Sequence, residues 1–388
     1  MNKTTISTCL LVVISSFSMT AGAVEYSSGY SLGMASEYDD NVKLEISDEK
    51  TLHGFSVSPA LNFAAKSERL ESSLDTRFDF SRYNISGYNS DDQYLKGKLT
   101  YKFERAALGF DAAYTRDTTR TSEVLDTGRV ADSAVRKESS SVGGSWQYQL
   151  SEQRYLQASV NQKKLDYASA NYTDSTTNAG SLALLNEVSE RTLLRVMFYL
   201  SEFEGENTAD IESDSYGVQF GIDQQLSEQL EFSVLAGSAH VKTHYGVGGL
   251  FSSDDTTDTY VVDSSLTYRT PRSTIRLGLS RQTTPSGDGY LIAYNRLRLS
   301  HSYQLTELSR LNSSVLYQQS DSLDDRINNN RDYSAFSLGY GYNLTEDWRL
   351  STRYNYEFQE RETTVDKAES HGVTVSLRYN PQANSWSR

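Results

Sequence analysis

The sequence predicts an all-β protein: a transmembrane antiparallel up-and-down β-barrel of about 18 strands, with short periplasmic turns and long acidic extracellular loops. Three observations predict it. The first is strict alternation on both sides of a short joint, Thr345-Glu346-Asp347. Phe336, Leu338, Tyr340 and Tyr342 share a face, as do Trp348, Leu350, Thr352, Tyr354, Tyr356 and Phe358. Ser337, Gly339, Gly341 and Asn343 take the other face, as do Arg349, Ser351, Arg353, Asn355, Glu357 and Gln359. Side chains of a strand point to opposite faces with period two, so this is a hairpin with one aromatic face and one polar face. The second is recurrence of the joint at Leu150-Ser151-Glu152, Leu226-Ser227-Glu228, Leu305-Thr306-Glu307 and Leu344-Thr345-Glu346. Their spacing suggests a unit near 40 residues, and longer acidic stretches separate the hairpins. The third is composition. Mean hydropathy is −0.57, yet the chain has 27 Tyr and only 4 Pro. Disordered chains are poor in aromatics. A barrel with a wet interior gives low mean hydropathy, and continuous ladders exclude proline.

The first residues read as a leader. Lys3 supplies a positive charge, Cys9 to Ser15 is a short apolar run, and Ala21-Gly22-Ala23 fits the small-x-small cleavage rule. Residues 1–23 are expected to be a signal peptide and residues 24–388 the barrel. The apolar run is too short to span a membrane. Cys9 is the only cysteine and opens that run rather than following it, so neither a lipid anchor nor disulfides are expected. No later stretch reaches the ~20 apolar residues of a membrane helix. A net charge of −14 argues against a nucleic-acid partner.

The strands follow in order. Tyr26 to Ser36 rises from the periplasm, and Asp39 to Lys50 is a long acidic loop. Leu52 to Ala64 descends with Phe55, Val57, Leu61 and Phe63 facing lipid; Pro59 shares that face and weakens the ladder. Leu70 to Arg82, Gln93 to Phe103 and Ala107 to Thr115 follow, then a polar loop from Arg116 to Lys137. Ser141 to Leu150 descends. Arg154 to Tyr167 rises with a slip of alternation at Lys163 and Lys164 that suggests a bulge. Ala179 to Asn186 and Thr192 to Phe203 are expected to be strands, although parts of both also fit a helical period. The hairpins Tyr216 to Leu226 with Leu230 to His240, Tyr260 to Tyr268 with Ile275 to Gln282, and Leu297 to Leu305 with Arg310 to Gln318 are clear. His371 to Tyr379 is the last strand. An even count puts both termini in the periplasm, and a barrel of this size leaves an aqueous lumen. No segment is long enough to form a separate plug domain.

Nothing in the sequence composes a catalytic set, so an enzyme is not expected. The five histidines, His53, His240, His244, His301 and His371, lack metal-ligand spacing. Gly246 to Gly249 reads as a flexible loop, since no strand–loop–helix context surrounds it. No cofactor is expected. The charges are more informative. Acids gather in the loops: Asp39, Asp40, Glu45, Asp48 and Glu49; Glu204, Glu206, Asp210 and Glu212; Asp254, Asp255 and Asp258; Asp321, Asp324 and Asp325. The predicted lumen face carries Lys96, Lys98, Lys102, Arg195, Arg276, Arg296, Arg298, Arg349, Arg353 and Arg378, with Glu357 among them. These cations either pair with Glu71, Asp75, Asp79, Asp263 and Glu357 to hold the wall, or tune a pore for polar or anionic solutes.

The leader, the length, the Tyr-rich strands and the turns Tyr148-Gln-Leu150-Ser-Glu152, Tyr303-Gln-Leu305-Thr-Glu307 and Tyr342-Asn-Leu344-Thr-Glu346 resemble the β-barrel porin type 2 family. That family includes Wzp-type outer-membrane barrels of exopolysaccharide export systems. The resemblance implies a Gram-negative outer-membrane location, contact with lipid and lipopolysaccharide, a polysaccharide substrate and a periplasmic polysaccharide-export lipoprotein as partner. It implies no catalytic residue. The expectation is therefore a conduit for a secreted polysaccharide, with a diffusion porin and an adhesive barrel as alternatives. One departure stands out: many barrels end on an aromatic residue, whereas here Asn380 to Arg388 follow Tyr379.

Overall fold

The computed structural model describes residues 24–127, 134–206, 211–247, 251–286, 290–323, 330–361 and 367–387. The leader and Asp210, Asp324, Asp325, Gly248 and Gly249 lie outside them. The first nine strands are β1 (Glu25–Asp39), β2 (Leu52–Lys66), β3 (Leu70–Tyr83), β4 (Ser90–Lys102), β5 (Ala106–Thr118), β6 (Arg136–Ser151), β7 (Arg154–Tyr167), β8 (Asp174–Ser189) and β9 (Thr192–Glu206). The next nine are β10 (Ile211–Gln225), β11 (Leu230–Val247), β12 (Phe251–Arg269), β13 (Ser273–Pro285), β14 (Leu291–Gln304), β15 (Ser309–Ser322), β16 (Arg331–Asn343), β17 (Trp348–Arg361) and β18 (Ala368–Tyr379). Each pairs antiparallel with its sequence neighbours, and β18 pairs with β1 to close the barrel. A short helix, α1 (Thr119–Thr127), follows β5.

The period-two pattern decides which way each strand faces. Ladder partners share a face, so one outward residue fixes the whole row: Leu299 pairs with Val315, Val315 with Phe336, and Phe336 with Tyr356. Outward residues such as Leu61, Phe110, Val160, Phe198, Phe220 and Leu338 are large, apolar and exposed. An aqueous protein would not tolerate that belt, whereas lipid covers it. Trp146, Trp348 and Trp386 all lie near the short-turn end, where an aromatic girdle belongs.

Several expectations need correction. The ladder runs without interruption through Lys163 and Lys164 on both sides of β7, so no bulge lies there. Lys164 simply faces outward above the apolar band and pairs with Asp166 at 3.1 Å. Irregularities fall instead at Gln149/Ser151 and Glu187/Ser189, beside short turns. The strands also outrun the membrane. Asp39, Glu204, Glu206, Glu212, Asp254, Asp255, Asp258 and Asp321 sit on strands rather than in loops. Gly246 likewise belongs to β11. Pro59 does interrupt its ladder, since the β2–β3 pairing skips Ser58 and Pro59.

The chain after Tyr379 rejoins the barrel. Asn384–Ser387 pairs with the start of β1, so it continues the eighteenth strand. Leu32 faces Tyr379 and Ser28 faces Asn384, leaving four residues, Asn380 to Ala383, opposite three. The extra residue is a bulge, and it resets the parity. Trp386 therefore lands outward, stacked on Tyr26 at 5.6 Å between ring centroids and close to Phe63 at 6.5 Å.

Candidate functional site

By register, Lys96, Lys98, Lys102, Arg195, Arg276, Arg296, Arg298, Arg349, Arg353, Arg378 and Glu357 all occupy the inward face. They do not form one cluster. Lys102, Arg349 and Arg378 lie near the short-turn end, and Glu357 lies toward the long-loop end. Arg276, Arg298, Arg353 and Arg378 belong to the sector β13–β18, while Lys96 and Lys98 sit on β4.

Wall-holding pairs account for a minority of these cations. Lys102 bonds Glu71 at 2.7 Å and Arg195 bonds Asp223 at 2.7 Å. Arg296 bonds the Tyr294 hydroxyl at 2.7 Å and lies over its ring. Lys96, Lys98, Arg276, Arg298, Arg349, Arg353 and Arg378 make no ion pair or side-chain hydrogen bond with another described residue. Most of these side chains are exposed to the lumen. Gly341 makes room for the Arg349 head, which occupies the space a side chain there would fill.

The long-loop end is different. Segment 40–51 does not stand out in solvent but folds into the mouth. Leu44 packs inside against Leu316, Tyr333 and Ala368, and Val42 packs with Leu52 and Tyr88. Leu44 takes φ 48°, a left-handed conformation rare for a bulky residue. It is held there by burial and by a bond from its amide to the Asn41 carbonyl at 3.0 Å. Within it, Ile46 to Glu49 and Thr51 are exposed.

Helix α1 interrupts the stretch expected to be a polar loop, and it too turns inward. Arg120 bonds Glu37 at 2.5 Å and the Tyr83 hydroxyl at 3.2 Å; Tyr83 itself donates to Glu37 at 2.9 Å. Burial alone would disfavour the charge on Arg120, but the Glu37 carboxylate and Tyr83 hydroxyl push its pKa above the ordinary arginine value. Tyr83 can lie there because Gly54 beneath it has no side chain. Further along α1, Glu123 is 0 % exposed and pairs with Lys137 at 3.2 Å, while Tyr167 donates to the same carboxylate at 3.2 Å. Elsewhere inside the barrel, Leu291 and Leu323 pack with Phe203, Ala239, Val241 and Val261 of β9, β11 and β12. No separate plug domain exists among the described residues, yet loop segments and α1 narrow the mouth.

What remains there is a cavity of ≈ 380 Å³, lined by Glu37, Asp39, Asp79, Asp92 and Glu357, with Arg120, among tyrosines, serines and threonines. Below it the lumen wall carries the unpaired cations. Glu37, Arg120, Asn41, Leu44, Glu123 and Lys137 were not singled out in the sequence. The one signal was a loop too long for a simple connection that also carried apolar Val42, Leu44 and Ile46.

A closed, lipid-facing barrel with a polar interior defines the transmembrane class of outer-membrane barrels. Solved structures share this architecture. OccAB4 of Acinetobacter baumannii is similar with a TM-score of 0.50 and 11% identity, covering 95% of this chain and 99% of that one. OccK2 (OpdF) of Pseudomonas aeruginosa is similar at 0.48 and 12%, covering 92% and 98%. OpdK of Pseudomonas aeruginosa, solved with vanillate, is similar at 0.46 and 11%, covering 92% and 99%. At 11% identity the likeness to OccAB4 is one of fold alone. No protein-family model matches the chain and no curated protein is similar to it in sequence, so the resemblance to exopolysaccharide-export barrels gains no support beyond the barrel itself.

Proposed function

We propose that the barrel is an outer-membrane porin that passes small polar solutes by diffusion. The observation that carries this reading is the pairing of a narrowed mouth with a lower lumen whose wall presents Arg276, Arg298, Arg349 and Arg353 without ion partners among the described residues. Charges placed around a wet lumen set which ions dwell there, and weak contacts at many points allow transit. The exopolysaccharide conduit is the weaker reading. A hydrated polymer needs an unobstructed bore, whereas segment 40–51 and α1 narrow the mouth. The outward belt would meet lipid, and the acidic strand extensions would meet lipopolysaccharide at the outer rim.

Planar-bilayer recording tests this. The purified barrel should give discrete conductance steps with a preference for anions. Replacing Arg276, Arg349 and Arg353 together by Gln should move the reversal potential toward cations. In liposome swelling, monosaccharides and amino acids should enter and dextrans should not. Absence of conductance steps, or passage of dextran, would overturn the proposal.

A further inference from the structure

The lining of the mouth cavity is unbalanced in charge. Three of its five carboxylates have a cation: Glu37 pairs with Arg120 at 2.5 Å, Asp79 with Arg77 at 3.0 Å and Asp92 with Arg136 at 2.9 Å. Asp39 and Glu357 have no ion-pair partner among the described residues. Asp39 accepts from the Ser370 hydroxyl at 2.7 Å and from the Asn41 amide at 2.9 Å, and Glu357 is hydrogen-bonded to the Tyr333 side chain. The two flank β18, where Gly372 stands in register with Asp39 and Ser370 with Glu357. Both accept from neutral donors, and Arg120, which also lines the cavity and acts on both through space, is itself bonded to Glu37, so the recess keeps a net negative potential.

The wall below the cavity has the opposite sign. Asn355 and Thr374 line the cavity, and the next inward residue below Asn355 is Arg353, in register with Thr374. Arg353 is exposed to the lumen. At a rise of about 3.3 Å per residue, the Cα atoms of Arg353 and Glu357 lie about 13 Å apart. Both residues share the inward face of β17, so a small molecule in the lumen can meet both charges. The purely structural role of Asp39, to hold Asn41 and Ser370, explains neither Glu357 nor the cation directly beneath.

We propose that this cavity is a subsite for a small solute bearing both an amine and a carboxylate, with the ammonium between Asp39 and Glu357 and the carboxylate on Arg353. The proposal deepens the channel reading and takes from it that solute enters through the mouth. A purely anionic solute would meet Arg353 but gain nothing from the two carboxylates. A purely cationic one would meet the carboxylates but gain nothing from Arg353.

The test uses the full barrel refolded in lipid, with L-lysine, n-pentylammonium, hexanoate and Na⁺ or Ca²⁺ salts as probes. Binding is read by calorimetry and by interruption of current in planar bilayers. L-Lysine should bind, and its affinity should fall about tenfold or more in Glu357→Gln, in Asp39→Asn and in Arg353→Gln, since a hydrogen bond to a charged group contributes about that factor. Pentylammonium should respond only to the two carboxylate variants and hexanoate only to Arg353→Gln. Unshifted heat-modifiable mobility confirms that each variant folds. No L-lysine binding to the unaltered barrel, unchanged affinity in Glu357→Gln, or occupation by the inorganic cation alone would each overturn the subsite. A barrel that conducts but ignores L-lysine refutes the subsite and leaves the channel; one that binds L-lysine without conducting refutes the channel and leaves the subsite.

Discussion

Asn41 is the residue on which the mouth turns. Its amide nitrogen donates to the carbonyls of Glu45 and Glu369, each at 2.8 Å, and its side-chain oxygen accepts from the Glu45 amide at 3.1 Å. One buried side chain thus shapes segment 40–51 and ties it to β18. Each such bond contributes about 0.5–1.5 kcal/mol net, and losing one side leaves the remaining groups unmet. Asn41→Ala should therefore loosen the segment by roughly 2–3 kcal/mol. A cysteine introduced at Leu44, which is 4 % exposed, should become reactive to maleimide in that background and stay protected otherwise. Equal protection in both would show that packing alone holds the loop. Helix α1 offers a parallel case. Lys137→Met would break the buried Lys137–Glu123 pair, which typically costs about 3–5 kcal/mol, whereas removing both charges costs far less. Hydrogen exchange in α1 should accelerate in the single variant and recover when Glu123→Leu is added. These roles were not legible beforehand, because an Asn or Arg in a polar loop looks the same whether its partners are solvent or a strand more than 300 residues away.

At the scale of elements, the strands were readable because lipid outside and water inside impose period two on every one of them. That reasoning is quantitative enough to test by depth. Leu338 faces lipid near the middle of β16, whereas Leu350 faces lipid two residues from the start of β17. A cation costs about 2–4 kcal/mol at the midplane and about 0–1 near the interface. Leu338→Arg should lower the denaturant midpoint of the refolded barrel well below that of Leu350→Arg, and Arg349→Ala should change it least. Equal losses would refute the assigned faces. The same reasoning fails where parity breaks. Tyr379 and Trp386 are seven residues apart, so uninterrupted alternation puts them on opposite faces, and only the bulge at Asn380 to Ala383 restores Trp386 to lipid. Deleting Gln382 alone should remove the bulge and turn Trp386 into the lumen. With Trp146 and Trp348 replaced by Phe, quenching of the remaining fluorescence by brominated lipid should then disappear.

For the whole molecule, the eighteen-stranded wall was legible and the occupied mouth was not. A wall follows from local alternation, whereas inward folding depends on Leu44 meeting Leu316, Tyr333 and Ala368 from three distant parts of the chain. This decides what limits passage. Eighteen strands alone enclose a channel wide enough for water and solutes. Segment 40–51 and α1 then divide the mouth and leave the acidic cavity beside the wall. If they set the limit, replacing residues 42–47 by a two-glycine bridge, combined with Arg120→Ala to free α1 from Glu37, should raise single-channel conductance several-fold. The same variant should admit oligosaccharides that the intact barrel excludes, and weaken the preference for amine-bearing solutes. Heat-modifiable mobility separates a true opening from failed assembly. Unchanged conductance in a folded variant would place the constriction lower, among Arg276, Arg298 and Arg353, and the wall cations rather than the loops would then govern size as well as charge.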